Sequence, residues 1–317
     1  MDAVVMSSAR LLVTGAGGFC GEHAVAHFVK SGCEVIAAVS RNAVTEKGST
    51  AVIRCDWTDP EDARRAVAES KPDAVVHLAG LNAADRSWHN PAGYLMTNAM
   101  GTVHLLEAVR SADRPCRVLI AGSMLRFQPP PPGSIPNPPH PYSLSKSMQV
   151  LIAQSWKSLY GLDVVVAEPS NLIGPGRSRG LCALLARYTA EAEAAAEAGL
   201  PSPVFRLSSR HERRDYLDVR DAIAAYDVLL RSGVSGELYP VASGRFVTNE
   251  QLAGRFEALA RVPLSFEVGD SAAPSPEPVD ASAVCALGWQ PRIPLEQSIA
   301  DTLNDARAYY ASQRGGQ

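Results

Sequence analysis

The chain has 317 residues, 46% of them hydrophobic and 20% charged, and a formal net charge of −3. This balance excludes a disordered chain and suits one large α/β unit, or a nucleotide-binding domain with a smaller companion. The slight acidity excludes a polyanion-binding surface over the whole domain, and no run of about 18 apolar residues is present, so neither nucleic acid nor a membrane is expected as a partner.

Short apolar, β-branched runs alternate with helical patterns through the first half. Leu11–Thr14 is expected as a strand, Cys20–Ser31 as a helix stopped by Gly32, and Glu34–Ser40 as a second strand. Ala51–Arg54 reads as a short strand, Pro60–Glu69 as a helix with proline in its first turn, and Ala74–Leu78 as a buried strand. Pro91–Arg110 reads as one long helix, and Val118–Ala121, Tyr142–Tyr160 and Val164–Ala167 as strand, helix and strand. Strands separated by helices predict βαβ units around a doubly wound parallel sheet. After Pro169 the loops lengthen. Ala183–Ala198 and Asp221–Arg231 are expected as helices and Glu237–Val241 as a strand, with the polar stretch Leu207–Asp215 between. Eight prolines fall within Pro129–Pro141 and three within Ala272–Val279; each segment is a stiff connector or, for the first, a lid.

The opening residues MDAVVMSSAR lack a basic n-region and an apolar h-region, and the six cysteines are scattered without a CxxC. A cytoplasmic protein with reduced thiols and no metal site is expected. The seven histidines have no ligand spacing; His23 and His27, four apart, read as packing or surface.

Thr14-Gly15-Ala16-Gly17-Gly18-Phe19-Cys20-Gly21 joins the first strand to the first helix. Gly15 permits the tight turn, Gly18 lets a pyrophosphate approach the backbone, and Gly21 lets the helix pack close to the sheet. The phosphates would meet the N–H groups of Phe19 and Cys20 at the helix N-terminus. The second strand ends in Ser40-Arg41-Asn42 with no carboxylate, which suits a 2′-phosphate, so NADP(H) is expected in preference to NAD(H). Asp56 and Trp57 are expected to flank the adenine. Leu78, Ala79 and Gly80 are small enough to let the cofactor lie against the backbone.

Tyr142-Ser143-Leu144-Ser145-Lys146 places a phenol and an amine four residues apart, on one helix face. An adjacent ammonium lowers a phenol's pKa from about 10 and suits Tyr142 to proton exchange. Ser123, just past the strand Val118–Ala121, is placed to hydrogen-bond the same substrate oxygen.

With these residues in hand, the chain resembles the extended short-chain dehydrogenase/reductases that act on nucleotide sugars. TGAGGFCG, CDWTDPED, VVHLAG, TNAMGTVHLLEAVR, AGS, PYSLSK, EPSNLIGPG, RRDYLDVRDAIAAY and LGWQPRIPLEQSI carry the resemblance, from residue 11 to about 299. The resemblance implies a Rossmann domain over residues 1–168, with 216–242 returning to it, and a smaller mixed α/β substrate domain from 169–215 and 243–317. It implies Ser123, Tyr142 and Lys146 as the catalytic set, with Asn98, Pro169 and Leu172 beside the cofactor. It also implies Asn171, Arg187 and Arg214 as contacts to a nucleotide-diphosphate sugar; forked guanidinium groups match phosphate oxygens.

Within this family the motifs are nearest to the GDP-6-deoxy-4-keto-mannose reductases. Sugar 4,6-dehydratases carry Asp-Glu after the catalytic hydroxyl residue, whereas Ser123 is followed by Met124-Leu125. Glu168 stands where the family has arginine, and Phe127-Gln128 where it has Tyr-Gly. The leading expectation is NADPH-dependent reduction of a nucleotide-linked 4-keto-6-deoxy sugar. The alternatives are a 4-epimerase with tightly held NAD and a non-catalytic NADP-binding sensor. A homodimer is also expected, with Leu105, Leu106, Val109, Leu151 and Ile152 either forming its face or covering the sheet.

Overall fold

The computed structural model describes residues 8–40, 48–271 and 275–314. Arg41 and Asn42, expected at the cofactor, lie outside the described residues. The chain divides into two compact units: residues 1–169, 223–241 and 282–289 form the first, and 170–222, 242–281 and 290–317 the second.

The first unit opens with β1 (Arg10–Thr14), α1 (Phe19–Lys30), β2 (Glu34–Val39), β3 (Ala51–Arg54), α2 (Pro60–Ser70) and β4 (Ala74–His77). Two short helices, α3 (Ala84–Ser87) and α4 (Pro91–Tyr94), lead into a π-helical turn, Leu95–Met100, and α5 (Gly101–Ser111). Then come β5 (Arg117–Ala121), α6 (Pro141–Tyr160) and β6 (Asp163–Pro169). The second unit follows with β7 (Asn171–Ile173), α7 (Leu181–Glu197), β8 (Phe205–Leu207) and β9 (Arg213–Asp218). Helix α8 (Val219–Ser232) returns the chain to the first unit and β10 (Leu238–Val241). After these come β11 (Phe246–Thr248), α9 (Asn249–Leu259), β12 (Phe266–Val268), α10 (Ser282–Ala286) and α11 (Leu295–Arg314).

The first unit holds a seven-stranded, all-parallel sheet in the order β10-β6-β5-β4-β1-β2-β3. Its central strands are apolar runs because both faces are covered: Leu11, Leu12, Val13, Val75, Val76, Leu119 and Ile120 are fully buried. Successive strands step outward from β1 to β3, then back across to β4 and on to β10. The order therefore reverses between β1 and β4, where Thr14 pairs with His77, and such reversals open a ligand crevice beyond the strand ends.

Local chemistry sets the helix ends. Asp59 accepts from the Glu61 and Asp62 N–H groups and Pro60 takes the first position, so α2 starts where the sequence places it. The single helix expected over Pro91–Arg110 runs continuously from Pro91 to Ser111, with the π-turn Leu95–Met100 inside it. Asn98, within this turn, is held from three sides. Its amide donates to the Leu81 carbonyl (2.9 Å) and to Ser145 Oγ (2.9 Å), while its Oδ1 accepts from Leu81 N–H (2.7 Å). A π-turn aims one side chain away from helical register, and such turns gather at functional sites. Leu105, Leu106 and Val109 are buried in the core against α2, α6 and the sheet, which assigns them to sheet cover rather than to an exposed face; Leu151 is exposed.

The second unit has a three-stranded mixed sheet, β11-β9-β7, and a parallel pair, β12-β8. Helices α7, α9 and α11 cover it through Leu185, Leu252, Phe256, Ile299 and Leu303. Among the described residues the cysteines form no disulfide, and no helix is long and apolar enough to cross a membrane.

Candidate functional site

The glycine turn is built by backbone packing. Gly15 sits at φ +64°, and a Cβ there would lie 2.8 Å from the Ala79 nitrogen and 2.9 Å from its Cα. A Cβ on Gly21 would press on the Gly15 carbonyl oxygen and lie 2.5 Å from that of Ala16. Strand β1, the start of α1 and the segment after β4 therefore meet with no room for side chains. Gly18 caps α1 with no side-chain hydrogen bond, so the helix N-terminus around Phe19 and Cys20 presents N–H donors and positive dipole to an anion. These features fit a dinucleotide diphosphate.

Around the turn, Ser40 follows β2 and is exposed. Asp56 Oδ1 accepts from Thr58 N–H (3.0 Å) and Oγ1 (2.7 Å). Trp57 is only 6% exposed, and its indole packs edge-on to His77 with ring centres 6.1 Å apart. The side chain belongs to the core cluster beneath the strand ends. Thr14 Oγ1 accepts from the N–H groups of Leu78 (3.1 Å) and Ala79 (3.0 Å), tying β4's exit to β1. A Cβ on Gly80 would lie 2.9 Å from Asn98 Oδ1 and 3.9 Å from Lys146 Nζ, so the small residue there keeps both groups in place.

Ser123, Tyr142 and Lys146 come together in this unit and are all buried. Helix α6 begins with His140, whose Nδ1 accepts from Ser143 N–H (2.9 Å), followed by Pro141. The exposed Pro129–Pro141 segment thus ends by capping α6. The Tyr142 ring is stacked with His140 (5.8 Å, 27°) and edge-on to Tyr94 (6.2 Å, 80°). Ser123 is the side chain that acts to lower the pKa of the Tyr142 hydroxyl.

The Ser123 loop is pinned on several sides. Leu125 N–H donates to Ser123 Oγ (3.1 Å) and Met124 N–H to the Pro169 carbonyl (3.3 Å). Ser147 Oγ accepts from Phe127 N–H (3.1 Å) and donates to the Phe127 carbonyl (2.9 Å). Arg126 forms an ion pair with the buried Glu168. Glu168 thus serves the loop, where the family pattern has arginine. Burial raises its carboxyl pKa, and Arg126 opposes that shift.

The electrostatics differ from the sequence expectation in one respect. Burial pushes the Tyr142 phenol up to about 12, the Ser123 side chain opposing it, and Lys146 is not among the groups acting on it. Lys146 is lowered to about 8, again by burial. Its Nζ donates to the Ala121 carbonyl (2.9 Å) and to Gln149 Oε1 (2.7 Å).

The remaining expected residues belong to the second unit. Asn171 opens β7 and donates to the Asp215 carbonyl (2.9 Å); Leu172 pairs with Leu217 of β9. Arg214, on β9, forms an ion pair with Glu212. Arg187, on α7, donates to the Ser178 carbonyl (2.8 Å). Sequence reading missed Thr14, His77, Thr102 and Gln149, which form one buried polar chain ending at Lys146. The signal for Gln149 was its spacing, three residues after Lys146 on a helix.

The family model for the NAD dependent epimerase/dehydratase family matches residues 11–242. The GDP-6-deoxy-D-mannose reductase of Pseudomonas aeruginosa is 29% identical over 309 residues, spanning 93% of this chain and 96% of that protein. A dTDP-glucose 4,6-dehydratase of Streptomyces antibioticus is 29% identical over 334 residues, spanning 95% and 94%. The solved structure of RMD from Pseudomonas aeruginosa complexed with NADPH matches with a TM-score of 0.80 at 28% identity, covering 95% of this chain and 100% of that one. With its parallel sheet, glycine turn and buried serine, tyrosine and lysine, the chain belongs to the NAD dependent epimerase/dehydratase family of NAD(P)-dependent enzymes.

Proposed function

We propose that this enzyme uses NADPH to reduce the carbonyl of a nucleotide-linked 4-keto-6-deoxy sugar. The observation that carries the reading is the burial of Tyr142, Ser123 and Lys146 in one unit, with Ser123 acting on the Tyr142 phenol and Lys146 one turn further along α6. When bound, the dinucleotide supplies the hydride. Tyr142, held up to about 12, keeps its proton at neutral pH and is the donor to the sugar's 4-oxygen. Ser123, pinned by Leu125 N–H, orients that oxygen and helps carry its developing negative charge. Lys146 and Asn98 hold the cofactor side of the site.

Loss of water from a sugar needs an acid and a base. Met124 and Leu125, the residues after Ser123, supply neither. This favours reduction over dehydration. NADPH rather than NADH is supported by Ser40 in place of a carboxylate and by the NADPH in the similar Pseudomonas structure. In the second unit, Arg214 and Arg187 are assigned to the substrate diphosphate and Asn171 to the sugar.

The purified protein is expected to consume NADPH when given GDP-4-keto-6-deoxy-mannose and to release one 4-hydroxy sugar. No consumption with GDP-, UDP- or dTDP-linked 4-keto sugars rejects the reading. Co-purified NAD(H) with interconversion of two nucleotide sugars, without added nicotinamide, makes the protein an epimerase instead. We also assign a homodimer to the apolar side chains left exposed on the π-turn and α6: Met96, Met100, Met148 and Leu151. Sedimentation is expected to return twice the chain mass, and a monomer at micromolar concentration removes that assignment.

A further inference from the structure

We propose that Gln149 is a positioning residue that holds the Lys146 ammonium through an amide carbonyl whose direction is set by Thr14, His77 and Thr102. All four side chains are buried, and counting donors and acceptors leaves one arrangement. A hydroxyl has one proton to give and two lone pairs to accept with. Thr14 Oγ1 already accepts from Leu78 and Ala79 N–H, so its proton goes to His77 Nδ1, 2.8 Å away. Nδ1 is then an acceptor, and a neutral His77 carries its proton on Nε2. That N–H faces Thr102 Oγ1 at 3.2 Å.

Thr102 spends its own proton on the Asn98 carbonyl (2.8 Å). It therefore accepts from His77 Nε2 and, at 2.8 Å, from Gln149 Nε2. With the Gln149 NH2 turned to Thr102, its carbonyl points the other way and accepts from Lys146 Nζ at 2.7 Å. The Ala121 carbonyl takes a second Lys146 proton. The charge is thus held by two carbonyl dipoles, with Cys20 and His77 as the titratable neighbours acting on or feeling it.

A glutamine does not pass protons between its carbonyl and its NH2, so the chain anchors Lys146 and does not feed it protons. The same residues tie the amine to the end of β1, where the glycine turn begins, so the position of Lys146 is coupled to that of the turn. The inference rests on Lys146 belonging to the reaction site, but its deciding readouts, the His77 tautomer and the Lys146 midpoint, need no substrate. Failure of the reductase assay therefore leaves it standing or falling by itself.

The test uses the full chain carrying 15N-histidine and 13Cε-lysine, with His77 and Lys146 assigned by H77Q and K146R. His77 is expected as the neutral Nε2–H tautomer throughout pH ~6 to 8; an Nδ1–H tautomer or an imidazolium there overturns the arrangement. In the near-isosteric Gln149→Glu, the Lys146 titration midpoint is expected to rise by about 1–3 units, because a carboxylate replaces a dipole. In Gln149→Met it is expected to fall, because an acceptor of the charged form is gone. The alkaline limb of the turnover pH profile is expected to move with it. Midpoints that stay in place in both folded variants overturn the proposal, and the wild-type tautomer decides it should either variant fail to fold.

Discussion

Tyr142→Phe is expected to lower turnover by about 10²–10⁴-fold while dinucleotide affinity stays at the wild-type level. The phenol lies between His140 and Tyr94 in two ring contacts that a phenylalanine keeps, so the substitution removes the acidic hydroxyl but little shape. Ser123 cannot take over the role. Its pKa as an alcohol is far above that of a phenol, and its oxygen is already engaged by Leu125 N–H. Lys146, lowered to about 8, is turned toward Ala121 and Gln149. Single-turnover reduction measured beside a dinucleotide titration checks the expectation. A variant that reduces substrate at the wild-type rate would falsify the assignment of Tyr142 as the acid. The wild-type phenol also gives a sign in alkali. Its folded pKa of about 12 lies above the ordinary phenol value of 10, so between the two the folded state holds a proton that the unfolded state has lost. Stability therefore falls as pH rises from 10 toward 12.

The second large effect is acid sensitivity centred on His77. Burial lowers its pKa from 6.5 to about 3, with the nearby Lys146 charge adding to the shift. Between those two values the unfolded chain binds a proton that the folded chain refuses. Stability is therefore fully present above the unfolded pKa and is lost as pH falls toward the folded one. A shift of this size corresponds to on the order of 5 kcal/mol at about 1.4 kcal/mol per unit, comparable with the net stability of many domains. Urea unfolding between pH 7 and about 4 is expected to show a steep loss for the wild type and a shallower one for His77→Asn. Equal slopes would mean that His77 charges freely in the folded protein and that the buried chain from Thr14 to Lys146 is not closed as described. The comparison uses slopes rather than absolute stabilities because the variant also loses contacts to Thr14 and Thr102 at every pH.

What this sequence determined by itself was what depends on neighbours along the chain. The alternation of apolar runs and helical patterns gave the strands and helices of the parallel sheet, because burial on both faces leaves few polar positions to confuse the period. The glycine spacing of residues 15, 18 and 21 and the Tyr142–Lys146 spacing were legible because a turn and a helix face are local geometries. The three-residue strands β7, β8, β11 and β12 were not, since three residues carry too little of a period to distinguish strand from loop.

Only the tertiary structure decided which apolar and polar groups meet across long separations. Leu105, Leu106 and Val109 form an apolar face in either reading, and only packing shows that the core takes it. Asn98 sits in a π-turn of its helix, where its amide bonds Leu81 and Ser145 together. Glu168 looks misplaced until Arg126 arrives from the preceding loop. The direction of the Gln149 amide follows from hydroxyls on β1 and α5 that the sequence keeps 135 and 47 positions away, because hydrogen-bond direction is decided by the whole set of buried donors and acceptors and by no member of it alone.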